Sequence, residues 1–286
     1  MPSPTLKLSN PSTRDFWEIP ILFEDEHLLI IDKPHGLPVF PDANAEDRHS
    51  LSGLLLAAVD TRKPWVLERG LTYLQPVLRQ DDEMSGVHPL AKSKEAHAAL
   101  ASYLGSEQPN FTYAVLVQGI PPQKEFTINA PLAAHPTELG LMHISKLEGK
   151  KSKSLFTVVE SFNNATLLHC RPLTHRPHQL RVHLRSQLLP VFGDTAYGGP
   201  PLLLSDLKRD FRLKPNRKEL PLLGAAWLHA LKMELPHPIT QQPLVLEAPL
   251  PKHLTVALKY LRRYASGAAP ASTAAEPPPV GDSDQA

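Results

Sequence analysis

The sequence has only one cysteine, Cys170, among 286 residues. A single thiol excludes an internal disulfide and a cysteine-based zinc site, and it is typical of a reducing compartment. Apolar runs are also scarce: "LLII" and "PLLL" fall far short of the roughly 20 residues that a membrane-spanning helix requires. The N-terminal stretch lacks the basic start and apolar block of a secretory signal peptide. We therefore expect a cytoplasmic protein.

The chain also has little net charge. Its 30 basic and 29 acidic residues leave a formal charge of +1, so no global field attracts polyanions and any nucleic-acid surface must be local. The length and the 42% hydrophobic content are sufficient for a substantial core. Composition predicts a loosely held polar arm over 1–18, one folded domain over 19–264 and a disordered tail over 265–286.

Hydrophobic periodicity predicts strands that outnumber helices and often follow one another directly, as in a mixed α+β fold. We expect a hairpin over 21–39, strands over 111–119, 225–235 and 244–250, and a second hairpin joining 154–161 to 165–172. Helices are expected over 50–59, 93–105, 178–187 and 252–264.

Three consecutive acidic residues, Asp81, Asp82 and Glu83, lie between an apolar stretch and Ser85-Gly86. Carboxylates this close raise one another's pKa unless a cation neutralises them, so a buried one needs an arginine partner. Such a carboxylate could act as a nucleophile. A solvated acidic turn explains the same residues without any chemistry.

The stretch 171–187 contains four arginines and three histidines, His175, His178 and His183. A metal-dependent hydrolase is one hypothesis, but the spacing is poor for one helix face and no motif carboxylate accompanies the histidines. A phosphate- or carboxylate-binding surface suits the arginines better. An exposed basic helix face is the simplest alternative.

Two further runs are basic: 146–154 contains four lysines, and 207–218 contains six basic residues against one acid. Both are expected to be loops, which are usually just solvated. Together with 171–187 they could form a one-sided cationic track for a phosphate backbone. Tyr113, in an apolar strand, is core by default unless it faces the carboxylates.

Taken in order, these segments resemble the RluA-like family of RNA pseudouridine synthases. The family's Lys-Pro-x-Gly loop is matched at Lys33–Gly36, and its His-Arg-Leu-Asp-x-x-Thr-Ser-Gly segment by Leu78–Gly86. Its tyrosine strand is matched by 113–119, and its Thr-Gly-Arg-x-His-Gln-x-Arg-x-His segment by 174–183. The block "PVFGDTAYGG" (190–199) and the segment 228–254 complete a likeness that runs from about residue 19 to 262.

The departures from the family pattern surround the acidic cluster. Leu78 and Gln80 replace a histidine and a leucine, and Met84 replaces a threonine. His175 replaces the glycine and Pro177 a small polar residue. These changes affect rate, substrate choice or the position of the substrate base more than the type of reaction. A catalytically weak or inactive RNA-binding protein of the same fold remains the alternative.

The resemblance implies an α+β pseudouridine synthase fold with a mixed, mostly antiparallel sheet and flanking helices. It implies an isomerase that detaches uracil from ribose and rejoins it through carbon 5, without metal or cofactor. Asp81 would be the catalytic carboxylate, Arg181 its ion-pair partner and Tyr113 the residue that stacks on the base or removes the proton from carbon 5. Acidic neighbours would then be tolerated only if they turn outward to solvent. The implied substrate contacts are Arg79, Leu180, His178, Gln179 and Arg176.

The partner implied by the resemblance is a structured RNA, a stem-loop in tRNA or rRNA, and neither DNA nor a membrane. The Lys-Pro loop begins by residue 33, which leaves no room before it for the small RNA-binding domain that the family often carries. We therefore expect recognition by loops of the catalytic domain, in a monomer.

Overall fold

The computed structural model describes residues 4–10, 13–41, 49–106, 108, 110–214 and 216–266. The strands are β1 (Thr5–Asn10), β2 (Asp15–Glu24), β3 (Leu28–Lys33), β4 (Gln75–Pro76), β5 (Met84–Ala91), β6 (Phe111–Gln118), β7 (Glu125–Asn129), β8 (Leu132–Ala134), β9 (Met142–Ile144), β10 (Lys153–Ser161), β11 (Ala165–Pro172), β12 (Leu228–Pro236) and β13 (Pro243–Glu247). The helices are α1 (Leu51–Asp60), α2 (Pro64–Glu68), α3 (Lys94–Gly105), α4 (Gln179–Ser186), α5 (Leu204–Leu207) and α6 (Lys252–Tyr264), with a 3-10 turn at Thr195–Tyr197.

The main sheet runs in the order β1-β2-β3-β5-β12-β6-β11-β10-β7, with β4 paired to β5 and β13 to β12. Among the described strands, β5 and β12 pair in parallel and the other neighbours are antiparallel. This confirms the predicted mixed, mostly antiparallel α+β architecture. In the part of the chain that the structure describes, no helix is long and apolar enough to cross a bilayer.

The central strand β6 separates two cores. Tyr113, Val115 and Val117 face a core shared with α3 and α4, whereas Ala114 and Leu116 face a core covered by α6. This alternation is what a strand buried on both faces produces. Tyr113 therefore lies on the α4 side of the sheet.

The prediction of a loosely held arm over 1–18 is wrong for the described residues near the N-terminus. Residues 5–10 form β1, which pairs antiparallel with β2. Leu6 and Leu8 are buried in a third core with α1, and this burial holds a segment that its polar composition did not identify as structured. The predicted tail beyond residue 266 lies outside the described residues.

Gly86 fixes the close approach of β5 to β12. Its φ is +98°, and a Cβ there would lie 2.3 Å from the carbonyl oxygen of Ala230, so only glycine fits. The loop before it is held from the other side, because the Gly36 N–H donates to the Asp82 carbonyl (2.8 Å). The Lys33–Gly36 loop and β12 thus position residues 81–83 from two directions.

Candidate active site

A cavity of about 610 Å³ opens between the acidic loop, strand β6 and the start of α4. Its lining joins residues that are far apart in sequence: 38–41, 78–84, Tyr113, Gly140, Pro172 and 174–180. The volume lies within the range typical of small-molecule sites, which is sufficient for an extruded nucleoside. Of the eight predicted site residues, seven line it directly: Arg79, Asp81, Tyr113, Arg176, His178, Gln179 and Leu180.

Asp81 is held at the N-terminus of α4, with its side chain 11% exposed. Its Oδ1 accepts a hydrogen bond from the His178 backbone N–H (3.3 Å), and its Oδ2 lies 3.9 Å from Nη1 of Arg181. His178 has a left-handed backbone conformation, with φ of 54°, which is uncommon for a residue other than glycine. The helix start is therefore shaped to aim one backbone donor at this carboxylate.

Arg181 reaches Asp81, as the sequence predicted, but its principal partner is a different carboxylate. Its Nε and Nη2 donate to Asp194 Oδ2 and Oδ1 at 2.8 and 2.7 Å, and both side chains are almost completely buried. This bidentate pair is the strong geometry for arginine and a carboxylate. The guanidinium also lies 4.9 Å from the ring centre of Tyr197, so its orientation is fixed from two sides.

The prediction that the acidic neighbours of Asp81 turn outward is wrong for Glu83. Its Oε2 lies 3.0 Å from Arg181 Nη1, closer than Asp81 does, and its side chain is 30% exposed. Arg181 thus faces three carboxylates with one positive charge. Asp194 accepts hydrogen bonds from two guanidinium nitrogens, Nε and Nη2, and the third, Nη1, lies within 4 Å of both Asp81 and Glu83.

The ionisation of Asp81 reflects this crowding. Burial raises its pKa above the ordinary 3.8, the charges of His178 and Arg181 lower it, Glu83 raises it, and the His178 N–H lowers it, with a net upward direction. Burial alone would lower the pKa of Arg181, but the hydrogen bonds and charge of Asp194, with Glu83 and Asp81, raise it. The arginine therefore stays charged while Asp81 becomes easier to protonate.

Tyr113 is 2% exposed and lines the same cavity as Asp81, so it is not sealed away from the carboxylate. Burial raises its pKa, a hydrogen bond with the Gln80 side chain lowers it, and the charge of Asp81 raises it, with a net upward direction. Tyr113 is thus a neutral phenol at physiological pH. Leu180, buried at the start of α4, lines the cavity as well.

Gln179 lines the cavity and was predicted to contact the substrate. Its side-chain amide, however, is already hydrogen-bonded to other parts of the protein. Its Oε1 accepts from Thr174 Oγ1 (2.8 Å) and from the Arg176 N–H (3.2 Å). Its Nε2 donates to the Lys153 carbonyl (3.1 Å) and to Ser154 Oγ (2.8 Å). Both donors and both acceptor positions of the amide are therefore used, and Gln179 ties the 174–176 loop to β10.

The two predicted arginines at the cavity rim differ in their surroundings. Arg79 is exposed and its guanidinium lies 5.3 Å from the ring centre of Phe40. Arg176 donates through Nε to the Lys151 carbonyl (3.3 Å). Both are placed where a phosphate next to the cavity could meet a positive charge.

The three histidines of 175–183 do not share one site. The two ring nitrogens of His183 lie 3.0 Å from Ser154 Oγ and from the Ala130 carbonyl oxygen, whereas His178 Nδ1 lies 2.7 Å from the Tyr197 hydroxyl. His175 is partly buried against Phe111. Within the described residues, no group of three or more His, Cys, Asp or Glu side chains could hold a metal ion.

The two basic loops lie on different faces. The 146–154 loop borders the cavity, since Lys151 and Lys153 accept the contacts from Arg176 and Gln179, and Lys146 and Lys150 are exposed. The 207–218 loop follows α5, which contacts α6, and Leu207 packs against the core on the opposite side of the sheet from Tyr113. The hypothesis of one continuous track with both loops is therefore not supported.

Sequence reasoning missed Asp194 and Tyr197 as site residues. Their signal was present in "PVFGDTAYGG", which combines one acid and two aromatic residues with three glycines. A Cβ at Gly193 would lie 2.3 Å from the Ala225 carbonyl oxygen, and one at Gly199 would lie 1.8 Å from that of Val191. The glycines allow this turn to bring Asp194 against Arg181.

Comparison with known proteins identifies the class of this protein. The family model described as RNA pseudouridylate synthase matches residues 27–186. The solved structure titled Human RNA Pseudouridylate Synthase Domain Containing 4 superposes with a TM-score of 0.61 at 22% identity, covering 85% of this chain and 92% of that one. This likeness shows the fold.

Curated relatives of this chain carry names from the same family. The chain is 33% identical to Ribosomal large subunit pseudouridine synthase D of Pseudomonas aeruginosa over 86% of this chain and 72% of the relative. It is 32% identical to Ribosomal large subunit pseudouridine synthase C of Salmonella typhi over 86% of this chain and 70% of the relative. The chain therefore belongs to the RNA pseudouridylate synthase family. It is an RNA pseudouridine synthase, an isomerase that converts uridine in RNA to pseudouridine.

Proposed function

We propose that this enzyme isomerises a uridine in the RNA of the large ribosomal subunit, with Asp81 as its catalytic carboxylate. The names of the relatives, ribosomal large subunit pseudouridine synthases D and C, support this substrate. The observation that supports the catalytic role is that Asp81 and Tyr113 line one cavity, with Arg181 Nη1 3.9 Å from the Asp81 carboxylate. We place the catalytic domain in residues 19–264, extended by β1, in a cytoplasmic monomer that needs no metal or cofactor.

In the reaction, the bond between N1 and C1′ breaks and a bond between C5 and C1′ forms. C5 then loses its proton, and N1 gains a proton. A carboxylate can assist at the ribose–base centre only while it is ionised. The His178 N–H and Arg181 favour the anion of Asp81, against burial and Glu83. Asp194 contributes indirectly, because it holds the Arg181 guanidinium in place.

The base would lie between Tyr113 and Leu180, with Tyr113 stacked on it or accepting the C5 proton. Taking a uridine out of a helical stack costs a few kcal/mol. Arg79, exposed at the rim, is placed to fill the space that the nucleotide leaves or to hold its phosphate. Arg176, with the His178 side chain nearby, supplies a second rim contact.

Phosphate contacts from the 146–154 loop would help to offset that cost, and they position the RNA without reading its sequence. A stem-loop is the expected target because its nucleotides are already partly unstacked. A tRNA stem-loop presents the same chemistry and is the second candidate substrate; DNA and membranes are not expected partners.

Mapping pseudouridine in ribosomal and transfer RNA, from cells with and without the gene, tests the substrate. We expect one or more large-subunit sites to lose the modification and to regain it with the wild-type gene. Loss confined to tRNA would replace the proposed substrate. Identical maps would favour the alternative of an RNA-binding protein without catalysis, if the Asp81→Asn gene also restores other phenotypes as well as the wild-type gene does.

A further inference from the structure

Gln80 and His88 form a buried polar pair directly beside the active site. Gln80 is 6% exposed and His88 is 0% exposed, and Gln80 Oε1 lies 2.9 Å from His88 Nδ1. Gln80 precedes Asp81 in the chain and stands where the resembled family has an apolar leucine. A polar pair is costly to bury unless its members satisfy each other, so this departure calls for an explanation.

The orientation of the Gln80 amide follows from its partners. Its Nε2 donates to the Val87 carbonyl oxygen (3.2 Å), and a carbonyl oxygen can only accept. The NH₂ end therefore faces Val87, which leaves Oε1 facing His88. Since Oε1 can only accept, the imidazole must carry its proton on Nδ1.

His88 is kept in this neutral form by its surroundings. Burial and the nearby charge of Lys33 lower its pKa to about 3. Its Nε2 makes no hydrogen bond within the described residues, which fits an unprotonated nitrogen better than a buried N–H. The imidazole is thus a fixed donor toward Gln80 at any pH at which the enzyme operates.

Gln80 and Tyr113 line the same cavity, and the Gln80 side chain lowers the pKa of Tyr113, as a donor to the phenolic oxygen would. The second proton of Gln80 Nε2 is the donor that remains for this contact. We propose that His88 and Gln80 are positioning residues for Tyr113: the His88 Nδ1–H sets the Gln80 amide so that its N–H, and not its C=O, faces the phenolic oxygen. The phenolic proton is thereby directed away from Gln80 and toward the cavity. This inference rests on the proposed contact between Tyr113 and the target base.

The tautomer can be tested without activity. A long-range ¹H–¹⁵N imidazole spectrum of the full chain, compared with that of His88→Asn to assign the signal, should show a neutral His88 protonated on Nδ1 throughout the enzyme's pH range. A proton on Nε2 instead would overturn the proposal. This result does not depend on the RNA substrate, so it separates failure of the inference from failure of the proposed function.

The rate test compares two variants at one position. His88→Leu removes the donor to Gln80, whereas the side-chain amide of His88→Asn can replace the Nδ1–H. We expect His88→Leu to lower the single-turnover rate constant about five- to tenfold, the effect of one lost hydrogen bond, with the RNA Kd within about twofold of wild type. We expect His88→Asn to retain the rate within about twofold.

A purely structural role would give a different pattern. It would lower the melting temperature in both variants without separating the rate constant from the Kd. If His88→Leu turns over at the wild-type rate, or if a folded His88→Asn is as slow as His88→Leu, the proposal is wrong. In a Gln80→Leu background, His88→Leu should cause no further loss of rate, because His88 acts only through Gln80. If His88→Leu does not fold, the rate constant of His88→Asn and the tautomer of His88 in the imidazole spectrum test the proposal.

Discussion

Glu83 and Asp81 lie beside the same nitrogen of Arg181, and we expect the charge of Glu83 to contribute to the pH response of the enzyme, after the larger effect of burial. Arg181 Nη1 lies 3.0 Å from Glu83 Oε2 and 3.9 Å from Asp81 Oδ2. With an effective dielectric constant of about 20, unit charges at these separations attract by about 5.5 and about 4.3 kcal/mol. One positive charge therefore serves two carboxylates, and a change of about 1 kcal/mol in favour of the Asp81 anion on removal of the Glu83 charge is a modest fraction of either attraction.

We predict that Glu83→Gln extends activity to lower pH. The charge of Glu83 raises the pKa of Asp81, so removing it lowers that pKa. In the proposed mechanism the anion of Asp81 is the active form, and its fraction falls as the pH drops through its pKa. Where wild-type Asp81 is mostly protonated, the variant should react up to about fivefold faster, the equivalent of about 1 kcal/mol. At higher pH, where Asp81 is ionised in both proteins, the rates should converge.

The assay is single-turnover release of tritium from RNA labelled at carbon 5 of uridine, measured across the acidic limb of the pH–rate profile. Glu138→Gln is the matched control, because it removes one negative charge from an exposed position near the cavity-lining Gly140. Its acidic limb should coincide with that of wild type. An unchanged limb in Glu83→Gln, or an equal shift in both variants, would refute this effect of the Glu83 charge.

Two further predictions concern the support of the site and its RNA contacts. Asp194→Asn leaves the buried Arg181 without its bidentate carboxylate. We expect a loss of roughly 3–5 kcal/mol in the free energy of unfolding, measured by denaturant titration. A loss of less than about 1 kcal/mol would contradict this. The Lys146→Ala/Lys150→Ala variant should bind RNA more weakly and with a flatter dependence on salt, by up to about two counterions. An unchanged salt slope would remove the 146–154 loop from the RNA surface.

The control for the lysine variant is Arg212→Ala/Lys214→Ala, which removes two exposed charges from the loop that follows α5. Because that loop lies on the opposite side of the sheet from Tyr113, the RNA affinity of this variant should depend on salt concentration as that of wild type does. A larger effect here than at Lys146 and Lys150 would place the RNA on the other face.

The sequence was sufficient to predict most elements because their periodic patterns agree with their final burial. The strand around Tyr113 and the helix that carries Leu180 and Arg181 were both predicted within one or two residues. The strand β1 was missed because its burial depends on pairing with β2 and on contact with α1. Such long-range contacts leave little signal in a short, proline-flanked segment.

At the site, the sequence indicated which charges matter but not how they pair. Arg181 was expected to be the ion-pair partner of Asp81, and the structure adds Asp194 and Glu83 as further partners. Asp194 becomes a partner because the turn with Gly193 and Gly199 places it against Arg181. Gln179 was predicted to bind substrate, yet its environment uses its whole amide. The spacing of residues along the chain cannot predict the partners of Arg181 or of the Gln179 amide. Both depend on which side chains the fold places around these buried groups.

The most direct test of the central claim, that Asp81 is the catalytic carboxylate, is the rate of carbon-5 tritium release by Asp81→Asn under single-turnover conditions. Asparagine preserves the shape of the side chain and its acceptor for the His178 N–H, but it cannot act as an anion. We predict no release above the background without enzyme, with the RNA Kd within about twofold of wild type. Release by Asp81→Asn at the wild-type rate would contradict the account, and another group would then have to perform the chemistry.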